Sequence, residues 1–170
     1  LLNCAFLALL RMHGVCAGAG LADFSADVMI LLGLLSLGTA AVFLVAQRDY
    51  KRMLAYSSVE HMGILALGIG IGGLASQGAL LHAVNHSLAK GMLFLLAGNL
   101  LGVYRTKIAG DVRGLLRVMP WSGGLWLAGF FAIAGSPPFG LFLSELQILA
   151  GALSGRHIVA AVLFLAGLAV

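Results

Sequence analysis

The sequence predicts an all-α integral membrane protein, a polytopic helical bundle in which one transmembrane helix is broken. Three observations carry this. First, 61% of the 170 residues are hydrophobic and only 9% are charged, against about 45–50% and about 25% in soluble domains. Such a chain cannot cover a globule with polar surface, which excludes a water-soluble enzyme. Second, uncharged runs of membrane-spanning length recur at 28–46, 62–81 and 118–144, where a bilayer core of about 30 Å needs about 20 helical residues. Third, the basic residues collect in alternate loops.

Taken in order, the spans are a helix tail at about 1–10, then 24–46, 53–74, 77–104, 121–153 with a break at 135–140, and a last helix from 157 to 170, all in one membrane domain. The run 28–46 supplies one helix, with Asp27 as a helix-end residue on the outer surface. The run 62–81 holds the end of a second helix, a short link at 72–78 and the start of a third. A β-barrel would instead show alternating segments of about ten residues, and only helices and closed barrels satisfy their backbone in lipid. The chain starts inside an apolar run and stops 13 residues into another that begins at Ile158. Arg11 follows the first run, where a secretory signal carries its positive charge before it. The expectation is a piece of a larger membrane protein.

The loops on one side hold Arg48, Lys51, Arg52, Arg105, Lys107, Arg113 and Arg117, and the other side holds Arg11 and Arg156. The positive-inside rule makes the richer side cytoplasmic. The net charge of +4 is thus a topology signal and not a nucleic-acid patch. Cys4 and Cys16 have neither metal-ligand spacing nor a disulfide framework around them. The glycine run at 68–73 fits GxGxxG but follows no strand, so close helix packing is its expected role. Gly98 and Gly102 suggest a further helix contact. The chain has no CxxC, P-loop or GxSxG, so neither cofactor nor metal is expected in it, and any redox chemistry belongs to another subunit.

Polar residues within the spans carry the functional expectation. His82, His86 and Lys90 recur at i, i+4 and i+8, on one face of a helix. A lysine near mid-membrane costs about 2.5–3.5 kcal/mol even on insertion scales, so it faces protein or water. In the span 121–153, Pro137 and Pro138 remove two backbone donors and push Ser136 out of helical geometry, while Gly135 and Gly140 permit a turn. Broken helices of this kind mark ion sites in transporters. Glu145, the one acid of that span, needs a partner, for which Lys90 is the candidate. Glu60 and His61 add a further pair; Glu60 either joins a relay or meets Lys51 or Arg52 at the interface.

The strings RDYKRMLAYSSVEHMG (48–63), HxxxHxxxK (82–90) and GSPPFGLFLSE (135–145) together resemble the antiporter-like membrane subunits of complex I, of multisubunit cation antiporters and of membrane-bound nickel–iron hydrogenases. Within these the chain resembles the formate-hydrogenlyase type, hydrogenase-four component F. The resemblance implies the second of two inverted five-helix repeats. It also implies a central relay lysine at Lys90, accompanying histidines at His82 and His86, and a Glu-type second broken helix at Glu145. It implies proton translocation within a redox-driven complex, of hydrogenase or NADH:quinone oxidoreductase type, in a prokaryotic inner membrane. The partners are then other membrane subunits, a peripheral redox arm, lipid, and protons or sodium. Three other readings stay open. One is a subunit of a sodium/proton antiporter. Another is a stand-alone transporter, for which Phe139 and Phe142 give little sign of a solute pocket. The third is an anchor in which Lys90 and Glu145 only hold helices together.

Overall fold

A computed structural model describes residues 2–155 and 157–168; Leu1, Arg156, Ala169 and Val170, which the expected end spans and charge count include, lie outside the described residues. The described elements are all helical: α1 (Leu2–Gly18), α2 (Ala22–Leu44), α3 (Tyr50–Ile71), α4 (Gly73–Tyr104), a 3₁₀ turn (Ala109–Asp111), α5 (Leu115–Val118), α6 (Pro120–Ile133), α7 (Gly140–Ser154) and α8 (Ile158–Leu168). Three of them, α2, α3 and α4, are long and apolar enough to cross a membrane.

The first helix does not end near residue 10. Nothing between Leu10 and Gly18 breaks a helix, so α1 carries Arg11 and His13 and stops only at the turn before Gly20, whose φ is +78°. The 72–78 link is not a loop either. Gly72 and Gly73, at φ +82° and +54°, reverse the chain alone, and α4 starts at Gly73. That backbone region is open to glycine at little cost, so two glycines replace a seven-residue link. At the other end of α3 the two basic loops meet. The amide of Tyr50 donates to the Lys107 carbonyl, that of Ala109 to Arg48, and the Tyr50 hydroxyl to Thr106. Arg48, Lys51, Arg52, Arg105 and Lys107 therefore gather at one end of the bundle, as the alternation of loops requires.

Close backbone approach holds α2 on α3 and α4 on α7. A Cβ on Gly33 would lie 2.8 Å from the carbonyl oxygen of Gly63, and one on Gly70 would lie 2.7 Å from that of Ala26. Small residues allow such contact, and in lipid packing takes the place of the hydrophobic drive. The GxGxxG-like run is thus a packing surface, as expected. The contact expected of Gly98 and Gly102 is not made within the described residues: nothing lies within 4 Å of a Cβ at either. The spacing creates a smooth ridge, but no helix among the described residues covers it.

Gly151 touches α4 so closely that a Cβ would come within 2.5 Å of the Ala75 amide nitrogen. Gly151→Val is therefore expected to lower stability by about 1–3 kcal/mol, the usual cost of overpacking. Thermal unfolding of the detergent-solubilised complex checks this, and an unchanged midpoint would contradict the seam.

The broken helix is present. Neither α6, at 14 residues, nor α7, at 15, reaches the length needed to span alone. Residues 134–139 separate them, one residue earlier than the expected 135–140, because Gly140 already opens α7 with Phe139 as its extended N-cap. Within the break the amide of Ser136 donates to the Phe131 carbonyl and that of Phe139 to Ser136. These bonds keep the irregular backbone satisfied, as membrane depth demands.

Large apolar side chains cover the outside, among them Leu35, Val42, Leu88, Leu95 and Val162, while His61, His82, His86, Lys90, Ser144 and Glu145 are buried. This distribution is what a lipid solvent selects.

Candidate functional site

The buried polar residues form a layer between two apolar clusters. Leu54 on α3, Leu93 on α4 and Leu141 on α7 belong to one cluster. Ile64 on α3, Ala79 on α4 and Ile148 on α7 belong to the other. Between each pair, α3 places Ser57, Glu60 and His61, α4 places His82, His86 and Lys90, and α7 places Ser144 and Glu145. Three helices thus contribute polar groups at one depth. Along α4, Lys90 stands roughly 26 Å into a helix roughly 48 Å long, close to its middle.

His82, His86 and Lys90 do share the inner face, with 0%, 3% and 4% of their surface exposed. Lys90 does not pair with Glu145. Its ammonium donates to the Leu54 carbonyl at 2.6 Å and to the Ser57 hydroxyl, both on α3. The physical reason is geometric. Lys90 lies next to the N-terminal half of α3, while the Glu145 carboxylate folds back against Gly135 in the break, where a Cβ would collide with it. Glu60 does not meet Lys51 or Arg52 either. Asp49 caps α3 through the backbone amides of those two residues, and Glu60, almost three turns into the helix, lines a cavity of about 360 Å³ with Ser57, His61, Ile133 and Glu145.

From that cavity a hydrogen-bonded chain leads across the bundle. His61 Nδ1 lies 2.8 Å from His82 Nε2, and His82 Nδ1 lies 2.9 Å from Ser144 Oγ. The Ser144 hydroxyl donates to the Leu141 carbonyl at 2.7 Å. A hydroxyl has one proton and neutral imidazole one N–H, so this last bond assigns the rest. His82 then donates through Nδ1 to Ser144, and His61 donates through Nδ1 to His82 Nε2. The two imidazoles and the hydroxyl thus stand in one line along which His61 and His82 can exchange a proton. His86 lies beside the pair, its ring tilted 41° to that of His61 with the centroids 4.9 Å apart, and neither of its nitrogens has a partner among the described residues. A nitrogen of His61, one of His82 and a carboxylate oxygen of Glu145 all lie within 4.8 Å of one another.

Every sequence-predicted relay residue therefore reaches this layer: Lys90 and Glu60 through Ser57 and the cavity, His61 and His82 in the chain, His86 beside them and Glu145 at the break. Of the break residues Gly135, Ser136, Pro137, Pro138 and Gly140, it is Gly135 that lies against the Glu145 carboxylate. Gly140 packs on the Asn85 amide, whose buried nitrogen has no partner among the described residues. Ser144 is not singled out from sequence, and Ser57 stands out there only as a neighbour, with Tyr56, one turn before Glu60 and His61. The signal of the two serines is position alone, each standing next to a turn that carries an intramembrane acid.

Comparison with known proteins agrees with this architecture. Residues 1–169 match the family described as NADH:quinone oxidoreductase/Mrp antiporter, transmembrane. The chain is 39% identical to the "Hydrogenase-4 component F homolog" of Methylacidiphilum infernorum (isolate V4), over 96% of this chain and 34% of that one. It is 38% identical to "NADH-quinone oxidoreductase subunit N" of Desulforudis audaxviator (strain MP104C), over 75% and 26%. The chain thus spans about a quarter to a third of the length of these relatives. Among solved structures, an archaeal respiratory membrane complex, the membrane-bound sulfane sulfur reductase, aligns with a TM-score of 0.81 and 25% identity over 88% of this chain and 31% of the other. The Mrp complex from Dietzia sp. DQ12-45-1b has the same fold, with a TM-score of 0.82 and 21% identity over 96% and 31%. These relatives are components and subunits of multisubunit membrane complexes. The chain is an integral, multi-pass membrane protein and belongs to the NADH:quinone oxidoreductase/Mrp antiporter transmembrane family.

Proposed function

We propose that this chain translocates protons within a redox-driven membrane complex, of hydrogenase or NADH:quinone oxidoreductase type, with its basic end at the cytoplasmic face of a prokaryotic inner membrane. The observation that carries the reading is the directed chain from the cavity through His61 and His82 to Ser144, sealed above and below by apolar layers. A sealed polar layer conducts only when water or a moved charge connects it to either side, which is what coupling to another subunit requires. Lys90 supplies that charge. Held by Leu54 and Ser57, its ammonium biases the proton occupancy of the cavity acid Glu60. A neighbouring subunit that draws a proton from Lys90 would free that acid to take up a proton and pass it to His61. The reaction uses no cofactor in this chain.

The test is proton movement in vesicles containing the intact complex, in sodium-free buffer, with electron transfer measured in parallel. His82→Leu removes the central link while filling its space. Proton translocation per electron pair is expected to fall at least tenfold if this repeat is the route measured, with assembly intact. Translocation at the wild-type ratio would contradict the relay. A gradient that forms only when sodium is added would contradict the proton as the transported ion and favour the sodium/proton antiporter reading.

A further inference from the structure

We propose that His61, His82 and Glu145 form a binding site for a divalent transition-metal ion, with Zn²⁺ the best match, and that the bound ion locks the polar layer shut. Donor chemistry is the first argument. Two imidazole nitrogens and a carboxylate oxygen, each from a different helix, lie within 4.8 Å of one another and all three residues are buried. Imidazole with carboxylate is a donor set that Zn²⁺ accepts, and it binds with three protein ligands plus one further position. The second argument is independent. His86, 3% exposed and next to His61, has both ring nitrogens unpartnered among the described residues, so a fourth nitrogen donor stands beside the set.

The hydrogen bonds also suit ligation. His82 Nδ1 donates to Ser144, which leaves the Nε2 lone pair facing His61, the outer hydrogen bond that metal-bound histidines usually have. Two nitrogens at about 2.05 Å from a tetrahedral ion stand about 3.3 Å apart, so the 2.8 Å His61–His82 pair opens by roughly half an ångström. His61 then ligates through Nδ1 and carries its proton on Nε2, toward the cavity. No bond between His61 and His82 is left to pass a proton.

The site itself stands independently of proton translocation; only the block rests on that reading. The experiment loads the purified complex with Zn²⁺ and reads bound zinc after dialysis, together with zinc-edge X-ray absorption. The expected result is one zinc that shows imidazole scattering and is lost, or weakened at least tenfold, in His61→Gln, His82→Gln and Glu145→Gln. Ser144→Ala keeps all three ligands and is expected to weaken binding about 10–100-fold without changing the spectrum, while His13→Gln changes nothing. Should one ligand variant not assemble, the other two read the same site. A sulfur or all-oxygen shell, or equal binding in all ligand variants, overturns the site and leaves the proton reading standing. Zinc that loads through these residues while protons still move at the wild-type ratio overturns the block and, with it, the relay.

Discussion

Lys90→Met is expected to abolish proton translocation while leaving the complex assembled and its electron transfer measurable. The two roles open to Lys90 predict opposite results. As a strut between α4 and α3, its loss would weaken the bundle. Yet Met fills similar space at a cost usually below about 1.5 kcal/mol, and it removes an intramembrane ammonium that costs about 2.5–3.5 kcal/mol to insert. The acceptors are not stranded either. The Leu54 carbonyl still accepts from the Ser58 hydroxyl at 3.0 Å, and the Ser57 hydroxyl is directed to the same carbonyl. Stability should therefore hold or improve while the gradient falls by tenfold or more. A destabilised complex that still pumps at the wild-type ratio would make Lys90 a strut.

Gly135→Ala is expected to imitate Glu145→Gln. Gly135 sits at φ +62°, and a Cβ there would overlap the Glu145 carboxylate. Holding a non-glycine residue in that backbone region costs on the order of 1–2 kcal/mol, and the methyl group pushes the carboxylate away from His61 and His82. The chain then keeps every relay residue but loses the geometry of one. Both variants should lose proton translocation to a similar degree, at least tenfold, while only Gly135→Ala lowers the unfolding midpoint. A Gly135→Ala complex that pumps normally would show that the break does not position Glu145. The measurement is again protons moved per electron pair in sodium-free vesicles, beside a thermal melt.

How much of this was legible in the sequence depends on whether a property is local. Uncharged run length gave α2, α3 and α4 to within a few residues, because hydration of charge and length across the bilayer act residue by residue. The stripe of His82, His86 and Lys90 predicted one buried face, since helical spacing alone decides which residues share it. The two prolines flanked by glycine predicted the break for the same reason. Partnership was not legible. Lys90 and Glu145 are the obvious opposite charges, but α3 lies between their roles and offers the ammonium a carbonyl and a hydroxyl that charge counting overlooks. His61 meets His82 only because Gly72 and Gly73 fold α4 directly back along α3, a reversal the sequence reading gave seven residues. Gly98 and Gly102 show the converse error: a spacing that permits a helix contact says nothing about whether a helix of the same chain is there to make it.

The proposed relay puts Lys90 and His82 in series on one route, and a double-mutant cycle on proton translocation separates this from independent action. The variants should be partial ones, Lys90→Arg and His82→Gln, so that each leaves a measurable rate in assembled complex. Residues that act as a unit are strongly non-additive. In series, the double variant is expected to move protons no more slowly than the slower single variant. Losses that multiply, as they do for independent sites, would contradict it.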